Sequence, residues 1–442
     1  MYVFESSRPV VSPLFFNRRE ELNFLLSSVK EVENSRGVSV LIVGSRRMGK
    51  TSLIREFLRL CEEKNVNVNF IVFSFSMVSD YETLVKELKN FLHSKVYNPL
   101  RKVKETFREV LETVKVNWKY LKFEPKPKDV IEILRNYMRS VAKYSEMNPT
   151  ILIVDEFQRV QEIEEFSWIL KGLIDEYPTF SFILTGSEYS LIKKAIGSKA
   201  GLFGVFTKTI HLTPIDEKEC LNFLRKRYVE GGFNFDLEAL KEIVKLSGGH
   251  PWILQKIGER TLRYGKEITI EVVRKAAEEI KEEVFDLLTR NYYDLDDGEK
   301  NVLAILPSTP KKIAMELNIT PTMVHIILRN LIMKGFVKKE ERGRYNYLNP
   351  YVESFCKGLP TVPLRERGKK IYEIVLQKLK EYKVADSKIL SNATGFSKRT
   401  IQASIQYLRK KGYKIVTEKK GGKYRYIYQG LAKKGNNRFL RR

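Results

Sequence analysis

The 442-residue sequence contains few cysteines and histidines, the residues on which disulfide-bonded and zinc-binding proteins depend. Its three cysteines, Cys61, Cys220 and Cys356, stand far apart, and its four histidines are scattered. This usage excludes a disulfide framework and any recognisable zinc site. No window approaches about 18 consecutive apolar residues, and the N-terminus lacks the basic start and apolar run of a signal peptide. We therefore expect a cytoplasmic protein without a membrane segment.

Acidic residues are scarce near the end of the chain. Residues 365–442 contain 23 Lys/Arg and 5 Asp/Glu, a net charge of +18, whereas the whole chain carries +25. Clustered cations bind the phosphate backbone of nucleic acids by releasing counterions. The segment therefore predicts a polyanion-binding module, with a solvated basic tail as the alternative. Hydrophobic residues make up 43% of the chain and charged residues 30%, as is typical of a globular protein.

Short apolar runs alternate with helical patterns in the first half of the chain. Runs of strand length occupy residues 38–43, 70–75, 151–154 and 180–184. This alternation predicts an α/β core with a parallel sheet over residues 1–215. Residues 80–148 are expected to be mostly helical, and a helical lid subdomain is expected over residues 216–290.

Residues 44–51, GSRRMGKT, satisfy the GxxxxGK[ST] motif between an apolar strand and a helix. The two glycines allow backbone N–H groups to surround phosphate oxygens, and the helix N-terminus adds positive potential. We expect Lys50 to reach the β- and γ-phosphates of ATP and the Thr51 hydroxyl to ligate Mg²⁺. The predicted ATP contacts in this P-loop are Gly44, Ser45, Arg46, Arg47, Met48, Gly49, Lys50, Thr51 and Ser52.

Two carboxylates follow the buried strand in ILIVDE, residues 151–156. Acids at the end of an apolar strand are costly unless they act at the carboxyl edge of the sheet. We expect Asp155 to bind Mg²⁺ and Glu156 to be the base or water-positioning group; an acidic strand-end cap is the alternative. After the next strand, Ser187 in Thr185-Gly186-Ser187 either senses the γ-phosphate or belongs to an ordinary turn.

Five strings occur in series along the chain: FFNRREEL, GSRRMGKTSL, ILIVDEFQ, ILTGSEYSLI and SGGHPWIL. Over roughly residues 12–350 the series resembles the archaeal ATPase family of the STAND branch of AAA+ NTPases, relatives of the origin-recognition ATPases. The resemblance implies an ATPase core followed by a winged helix. It also implies that Arg18 lies near the adenine and ribose, that Pro251 packs on the adenine and that His250 approaches the phosphates. Chemistry alone favours an inter-helix turn at His250-Pro251.

The last 150 residues or so contain a weak internal repeat at an offset of 77 residues. Each copy reads as a short helix, a turn, a longer helix and a hairpin. The repeat predicts two winged-helix (α+β) domains, over residues 295–355 and 365–430, followed by a basic tail over residues 431–442. Two generic helical hairpins with an unrelated ribbon are the alternative.

The second copy carries the side chains that suit DNA. Arg, Lys and Gln recognise base edges and phosphates, whereas two glutamates offset the cations in the wing of the first copy, KKEERGR. We therefore interpret residues 295–355 as a structural or regulatory lid and residues 365–430 as the module that binds double-stranded DNA. The predicted contacts are Lys398, Arg399, Gln402, Gln406, Lys419, Lys420, Lys423 and Arg425.

Together these patterns favour an ATP-dependent DNA-binding protein that hydrolyses ATP, and they leave a nucleotide-dependent homo-oligomer open. One alternative is a signalling switch with slow turnover and a protein partner as its output. Another is a DNA-binding regulator whose nucleotide is only structural. The intact Asp155-Glu156 pair favours turnover, and the basic C-terminal segment favours DNA. No arginine can be assigned as a trans-acting finger.

Overall fold

The computed structural model describes residues 3–76, 95–100, 103–106, 127–157, 165–187, 205–358, 371–394, 398–420 and 423–431, with residues 83, 86, 87 and 90. Every helix among these residues is too short or too polar to traverse a lipid bilayer. The chain divides into two compact units. The first comprises residues 1–295 and 328–355, and the second comprises residues 296–327 and 356–442.

The first unit contains a seven-stranded sheet. Its strands are β1 (Ser39–Val43), β2 (Asn69–Ser74), β3 (Lys95–Asn98), β4 (Val103–Thr106), β5 (Thr150–Asp155), β6 (Ser181–Gly186) and β7 (Lys208–His211). The strand order is β4-β3-β2-β5-β6-β1-β7. The five strands β2, β5, β6, β1 and β7 run parallel, and β3 and β4 extend the β2 edge as antiparallel strands. The four strands expected from the apolar runs are all present, so the predicted α/β fold with a parallel sheet is confirmed.

Helices cover both faces of this sheet. They are α1 (Arg19–Glu33) and α2 (Lys50–Glu63) on one face, and α3 (Pro127–Met147) and α4 (Glu165–Glu176) on the other. Phe57 of α2 packs in one apolar cluster with Val40, whereas Leu170 of α4 packs in the other with Leu41. Since β1 is buried on both faces, its sequence is a continuous apolar run rather than an alternating one.

The expectation that residues 80–148 are mostly helical is wrong at β3 and β4. Phe70 of β2 stands opposite Tyr97 of β3, and β4 pairs with β3 in turn. Strands of four residues at a sheet edge contain no long apolar run. Their conformation depends on pairing with the neighbouring strand, which the local sequence pattern does not reveal.

A helical region follows the sheet within the first unit. It consists of α5 (Glu217–Glu230), α6 (Leu237–Ser247), α7 (Pro251–Thr261), α8 (Ile270–Glu279) and α9 (Lys281–Tyr293), with the short paired strands β8 (Asn234–Phe235) and β9 (Glu267–Ile268). Tyr228, Leu240 and Ile257 are fully buried in its core. The ring of Phe4 lies edge-to-face against Tyr228, with 5.1 Å between centroids, so the N-terminal segment packs on this region.

The remaining elements form two series. The first is α10 (Asp297–Leu303), α11 (Pro310–Leu317), α12 (Pro321–Met333), β10 (Val337–Lys339), β11 (Tyr345–Tyr347) and α13 (Pro350–Gly358). The second is α14 (Ile371–Tyr382), β12 (Val384–Asp386), α15 (Ser387–Thr394), α16 (Lys398–Lys410), β13 (Tyr413–Lys420) and β14 (Lys423–Leu431). In the second series the sheet order is β12-β14-β13, and Leu379, Ile401, Ile405 and Tyr426 belong to one buried cluster.

Candidate active site

The P-loop connects the carboxyl end of β1 to the first residue of α2. Gly49 precedes that helix with φ of +96°, a left-handed conformation that glycine adopts without a steric penalty. Lys50 is buried, and its ammonium group donates to the carbonyl oxygens of Gly44 at 2.8 Å and Ser45 at 3.1 Å. Burial lowers the pKa of Lys50 to about 8, although the carboxylates of Glu156 and Asp155 act in the opposite direction. The loop is therefore folded around a buried cation.

Asp155 lies at the end of β5 between two hydroxyl donors. Thr51 donates to its Oδ2 at 2.9 Å, and Thr185, at the end of the neighbouring strand β6, donates to its Oδ1. Thr185 is fully buried, and it also accepts a hydrogen bond from the Glu156 amide at 3.4 Å. Two hydroxyl groups thus fix both oxygens of the Asp155 carboxylate at the carboxyl edge of the sheet.

Glu156 follows directly, with a left-handed φ of +57°. Non-glycine residues seldom adopt this conformation, and it costs free energy that the surrounding structure must supply. The Ser187 hydroxyl donates to Glu156 Oε2 at 3.3 Å. Ser187 therefore contacts the second carboxylate, and Thr185, which the sequence did not single out, contacts the first.

A cavity of about 530 Å³ opens beside these groups. Its floor includes Lys50, Thr51 and Glu156, and its walls include Arg18 and Pro251. The described residues that line it do not include His250. The cavity therefore brings together both residues expected near the base, Arg18 and Pro251, with the predicted ATP contacts from Arg47 to Ser52 and with Glu156. The predicted contacts Gly44, Ser45 and Arg46, and Asp155, are not among the described residues that line it.

The N-terminal segment forms a wall of the cavity that the sequence did not predict. Residues 5–10 line it, and the indole N–H of Trp252 donates to the Ser6 carbonyl at 2.9 Å. The Arg47 guanidinium lies over the Trp252 ring, 4.0 Å from its centroid. No motif marks residues 5–10, because their position depends on contacts with residues more than 240 positions away.

Arg18 is buried within this wall. Its guanidinium donates to the Thr213 carbonyl at 2.5 Å and forms an ion pair with Glu21 at 3.5 Å. Burial lowers the pKa of Arg18, and the charge of Glu21 opposes this shift. The side chain is thus held in place by protein groups at the edge of the cavity.

His250 is buried directly before α7, with 5% of its surface exposed. Neither ring nitrogen has a hydrogen-bond partner within the described part of the chain. Burial lowers the pKa of His250 to about 4; the backbone of Arg46 opposes this shift, whereas the charges of Arg47 and Lys50 add to it. The imidazole is therefore neutral at physiological pH.

Residues 15–257 match the family described as an ATPase domain predominantly from Archaea. The matched range covers more than half of the chain and contains the P-loop, the Asp155-Glu156 pair and His250-Pro251. The chain belongs to this archaeal ATPase family. This family supports ATPase activity for the chain, and the matched range includes most of the described residues that line the cavity.

Two relatives of this archaeal ATPase are described as ATP-binding proteins. An uncharacterised one from Pyrococcus abyssi is 22% identical over 353 residues, 74% of this chain and 96% of that protein. Another from Pyrococcus horikoshii is 23% identical over 262 residues, 54% of this chain and 72% of that protein. A solved Walker-type ATPase of Pyrococcus abyssi aligns with a TM-score of 0.56 and 22% identity, covering 80% of this chain and 100% of that one, which indicates a shared fold.

The residues predicted to bind DNA lie in the second unit of the archaeal ATPase. Gln402 and Gln406 are exposed on α16, opposite the buried Ile401 and Ile405. Arg425 is also exposed. The side chains of the other predicted contacts lie outside the described residues, although their backbones belong to α16, β13 and β14; these are Lys398, Arg399, Lys419, Lys420 and Lys423.

The sheet of the second unit gives Arg425 acidic neighbours. On β14 it stands opposite Glu418 of β13 and, on its other side, opposite Asp386 of β12. Facing residues in an antiparallel pair project to the same side of the sheet at about 4.5–5.5 Å between β-carbons. The register therefore places two acidic residues opposite Arg425, which the sequence pattern of the hairpin alone did not indicate.

Proposed function

We propose that this archaeal ATPase hydrolyses ATP in the cavity beside its P-loop and that its nucleotide state controls the binding of duplex DNA by residues 365–430, within the basic segment 365–442. The observation that carries the proposal is the presence, in one chain, of a buried lysine–carboxylate site and a segment of net charge +18. We further propose that the chain belongs to the STAND branch of AAA+ NTPases. Residues 295–355 and 365–430 would each form a winged helix.

The reaction converts ATP and water into ADP and phosphate. The position of Lys50 against the loop carbonyls supports its pairing with the β- and γ-phosphates. Glu156 lines the cavity with a carboxylate that would accept a proton from the attacking water. The hydrogen bond from Ser187 to Glu156 supports a positioning role for Ser187, which would orient the base rather than contact the phosphate itself.

Mg²⁺ fits the residues beside Lys50. Thr51 Oγ1 and Asp155 Oδ2 are oxygen donors 2.9 Å apart, and Mg²⁺ binds oxygen ligands, commonly one or two from the protein together with substrate phosphates. We propose that these two groups hold the ion, which would neutralise phosphate charge when bound. Thr185 would act as a positioning residue because it fixes the other oxygen of Asp155.

The opposite part of the cavity would hold the base and ribose. Pro251 and Trp252 supply apolar surface there, and Arg18 supplies a fixed cation at the wall. Arg46 and Arg47 lie on the phosphate loop itself. The burial of His250, whose neutral ring does not line the cavity, supports a role beneath the loop rather than on the phosphates.

The element order of residues 371–431 supports a winged-helix interpretation of the DNA-binding module. Three helices and three strands alternate there as helix, strand, helix, helix, strand, strand, with the last two strands antiparallel. In such a module α16 would enter the major groove through Gln402 and Gln406, while the end of the β13–β14 hairpin would meet phosphates. In the first copy, α12 instead exposes the apolar Met323 and Ile326, which favours a lid rather than a DNA reader.

Fluorescence anisotropy with a labelled DNA duplex tests the proposal across a range of salt concentrations. The variant replaces Lys398, Arg399, Lys419 and Lys420 with alanine, and its matched control replaces Lys311 and Lys312 of α11 with alanine. If the four cations each neutralise a phosphate, the slope of log affinity against log salt falls by about 0.9 for each of them. The control should bind as the wild type does, and both variants should retain ATPase activity.

Equal affinity and equal salt slope for the fourfold variant and the wild type would remove the DNA-binding assignment and favour the signalling switch. Light scattering on the same samples measures the particle mass with an ATP analogue, with ADP and without nucleotide. A larger mass with the analogue would support a nucleotide-dependent homo-oligomer.

A further inference from the structure

The P-loop also contacts a turn that contains Lys334 and Gly335. Neither residue is among the described residues that line the cavity. The Ser45 hydroxyl donates to the Lys334 carbonyl at 2.6 Å, and only 7% of Ser45 is exposed. Met48 is fully buried, and its methyl carbon lies 3.5 Å from the place where a β-carbon on Gly335 would stand. Two residues of the phosphate loop therefore contact two consecutive residues of one turn.

This turn ends helix α12 with a glycine in the left-handed conformation. Gly335 has φ of +74°, its N–H donates to the Ile332 carbonyl at 3.0 Å, and the Phe336 N–H donates to the Leu331 carbonyl at 3.0 Å. These bonds form a glycine-terminated helix cap, which leaves the Lys334 carbonyl at the negative end of the helix dipole. Ser45 thus donates to a carbonyl that is rigidly held and electrostatically favoured as an acceptor.

A second attachment joins the P-loop to the end of α9. The Arg46 guanidinium and the Asp294 carboxylate form an ion pair at 3.6 Å, with about a quarter of each side chain exposed. The Lys334 ammonium group donates to the Asp294 carbonyl at 3.4 Å. Asp294 and the turn are thereby tied to each other as well as to the loop.

The same segment continues to the other side of the nucleotide cavity. The Leu348 amide donates to the Phe336 carbonyl at 2.8 Å, which pairs the chain just after β11 with the turn. The Asn349 amide group donates to the Ser247 carbonyl at 3.0 Å, three residues before His250 and four before the cavity residue Pro251. Residues 334–349 therefore connect the P-loop to the last residue of α6.

From these contacts we infer that Asp294, Lys334 and Gly335 are positioning residues that hold the P-loop in its phosphate-binding shape and couple ATP binding to residues 334–349. The inference rests on the proposed ATP site. Because coupling between two equilibria is reciprocal, nucleotide that stabilises the loop must stabilise its attachment to residues 334–349 by the same free energy.

Steady-state ATPase kinetics with a matched glycine pair tests the positioning role. Gly335 and Gly343 have φ of +74° and +72°, but a β-carbon at Gly343 meets no atom within 4 Å. Gly335→Leu and Gly343→Leu therefore both place leucine at a left-handed φ, but only at position 335 would the new β-carbon contact the phosphate loop, 3.5 Å from the Met48 methyl carbon. We expect Gly335→Leu to raise KM for ATP about tenfold with kcat changed less than about twofold, and Gly343→Leu to change neither. Equal KM values for the two variants would overturn the inference.

A charge substitution repeats the test if Gly335→Leu fails to fold. Asp294→Asn removes the partner of Arg46, whereas Asp286→Asn removes a carboxylate from an exposed position of α9, the helix that ends just before Asp294. Asp294→Asn should raise KM for ATP while Asp286→Asn does not, and Asp294→Glu should restore the wild-type value. A KM for Asp294→Asn equal to that of Asp286→Asn would again overturn the inference.

Hydrogen exchange in the wild-type protein measures the coupling directly, with and without a non-hydrolysable ATP analogue and Mg²⁺. We expect exchange at the Phe336 and Leu348 amides to slow about fivefold or more, together with the P-loop amides, while the amides of β13 and β14 are unchanged. Slowing confined to the P-loop would overturn the inference and leave the ATP site intact. No slowing in the P-loop would overturn the proposed ATP site and the inference with it.

Discussion

Thr185→Val should impair ATP hydrolysis although valine has nearly the shape of threonine. The Thr185 hydroxyl is fully buried and donates to Asp155 Oδ1, while Thr51 donates to the other oxygen at 2.9 Å. Valine leaves the buried carboxylate with one donor fewer and free to turn. A hydrogen bond to a charged group contributes about 1.5–3 kcal/mol, so we expect kcat/KM for ATP to fall by about tenfold to 150-fold.

The assay is the initial rate of phosphate release as a function of ATP and of Mg²⁺. Thr185→Ser returns the hydroxyl without the methyl group, and it should recover most of the wild-type kcat/KM. Thermal unfolding of each variant separates a loss of fold from a loss of function. A Thr185→Val protein that is folded and within about twofold of the wild type would refute the role of Thr185, as would a Thr185→Ser protein as impaired as the valine variant.

Three further predictions follow from the site. Glu156→Gln should bind ATP with wild-type affinity but release no phosphate, because its side chain cannot accept the proton of water; phosphate release at the wild-type rate would contradict this role. Burial lowers the pKa of Lys50 to about 8, and only its protonated form pairs with phosphate, so Kd for ATP should rise about tenfold per pH unit above pH 8. An affinity that is constant from about pH 7 to 9.5 would exclude this titration. Trp252→Phe loses the hydrogen bond to Ser6 and should raise KM for ATP about threefold to tenfold, whereas an unchanged KM would show that the N-terminal wall does not depend on this bond.

The sequence predicted those parts of the site that depend on local pattern. Residues 44–51 combine fixed spacing with a strand before and a helix after, and Asp155 follows an apolar run of strand length. Parallel strands meet at one edge of the sheet, so these two features could be expected to lie together. The structure brings Thr51 and Asp155 within hydrogen-bonding distance.

The sequence did not predict the parts of the site that depend on distant contacts. The N-terminal wall is held by Trp252, which lies 246 positions from its partner Ser6. The role of Thr185 depends on the pairing of β5 with β6, and the local sequence predicts a role for Ser187 instead. Likewise, the acidic neighbours of Arg425 become visible only with the register of β12, a three-residue strand with no sequence signal of its own.

The orientation of the α16 side chains follows from the spacing of the residue types. Ile401, Ile405 and Leu408 recur at helical intervals and are buried, and Gln402 and Gln406 are exposed on the other side of the helix. Helical periodicity decides which side chains face a core, and it requires no knowledge of the partner elements. It does not decide what the exposed face binds.

The affinity of Glu156→Gln for duplex DNA, measured with ATP and Mg²⁺ and then with ADP, tests the central claim most directly. In this variant ATP stays bound without being converted, so the two samples differ only in the nucleotide that occupies the cavity. Coupling of a typical 1–3 kcal/mol predicts Kd values for DNA that differ by roughly five- to 150-fold between the two states. The same Kd in both states, with both nucleotides shown to be bound, would contradict the claim that nucleotide state controls DNA binding.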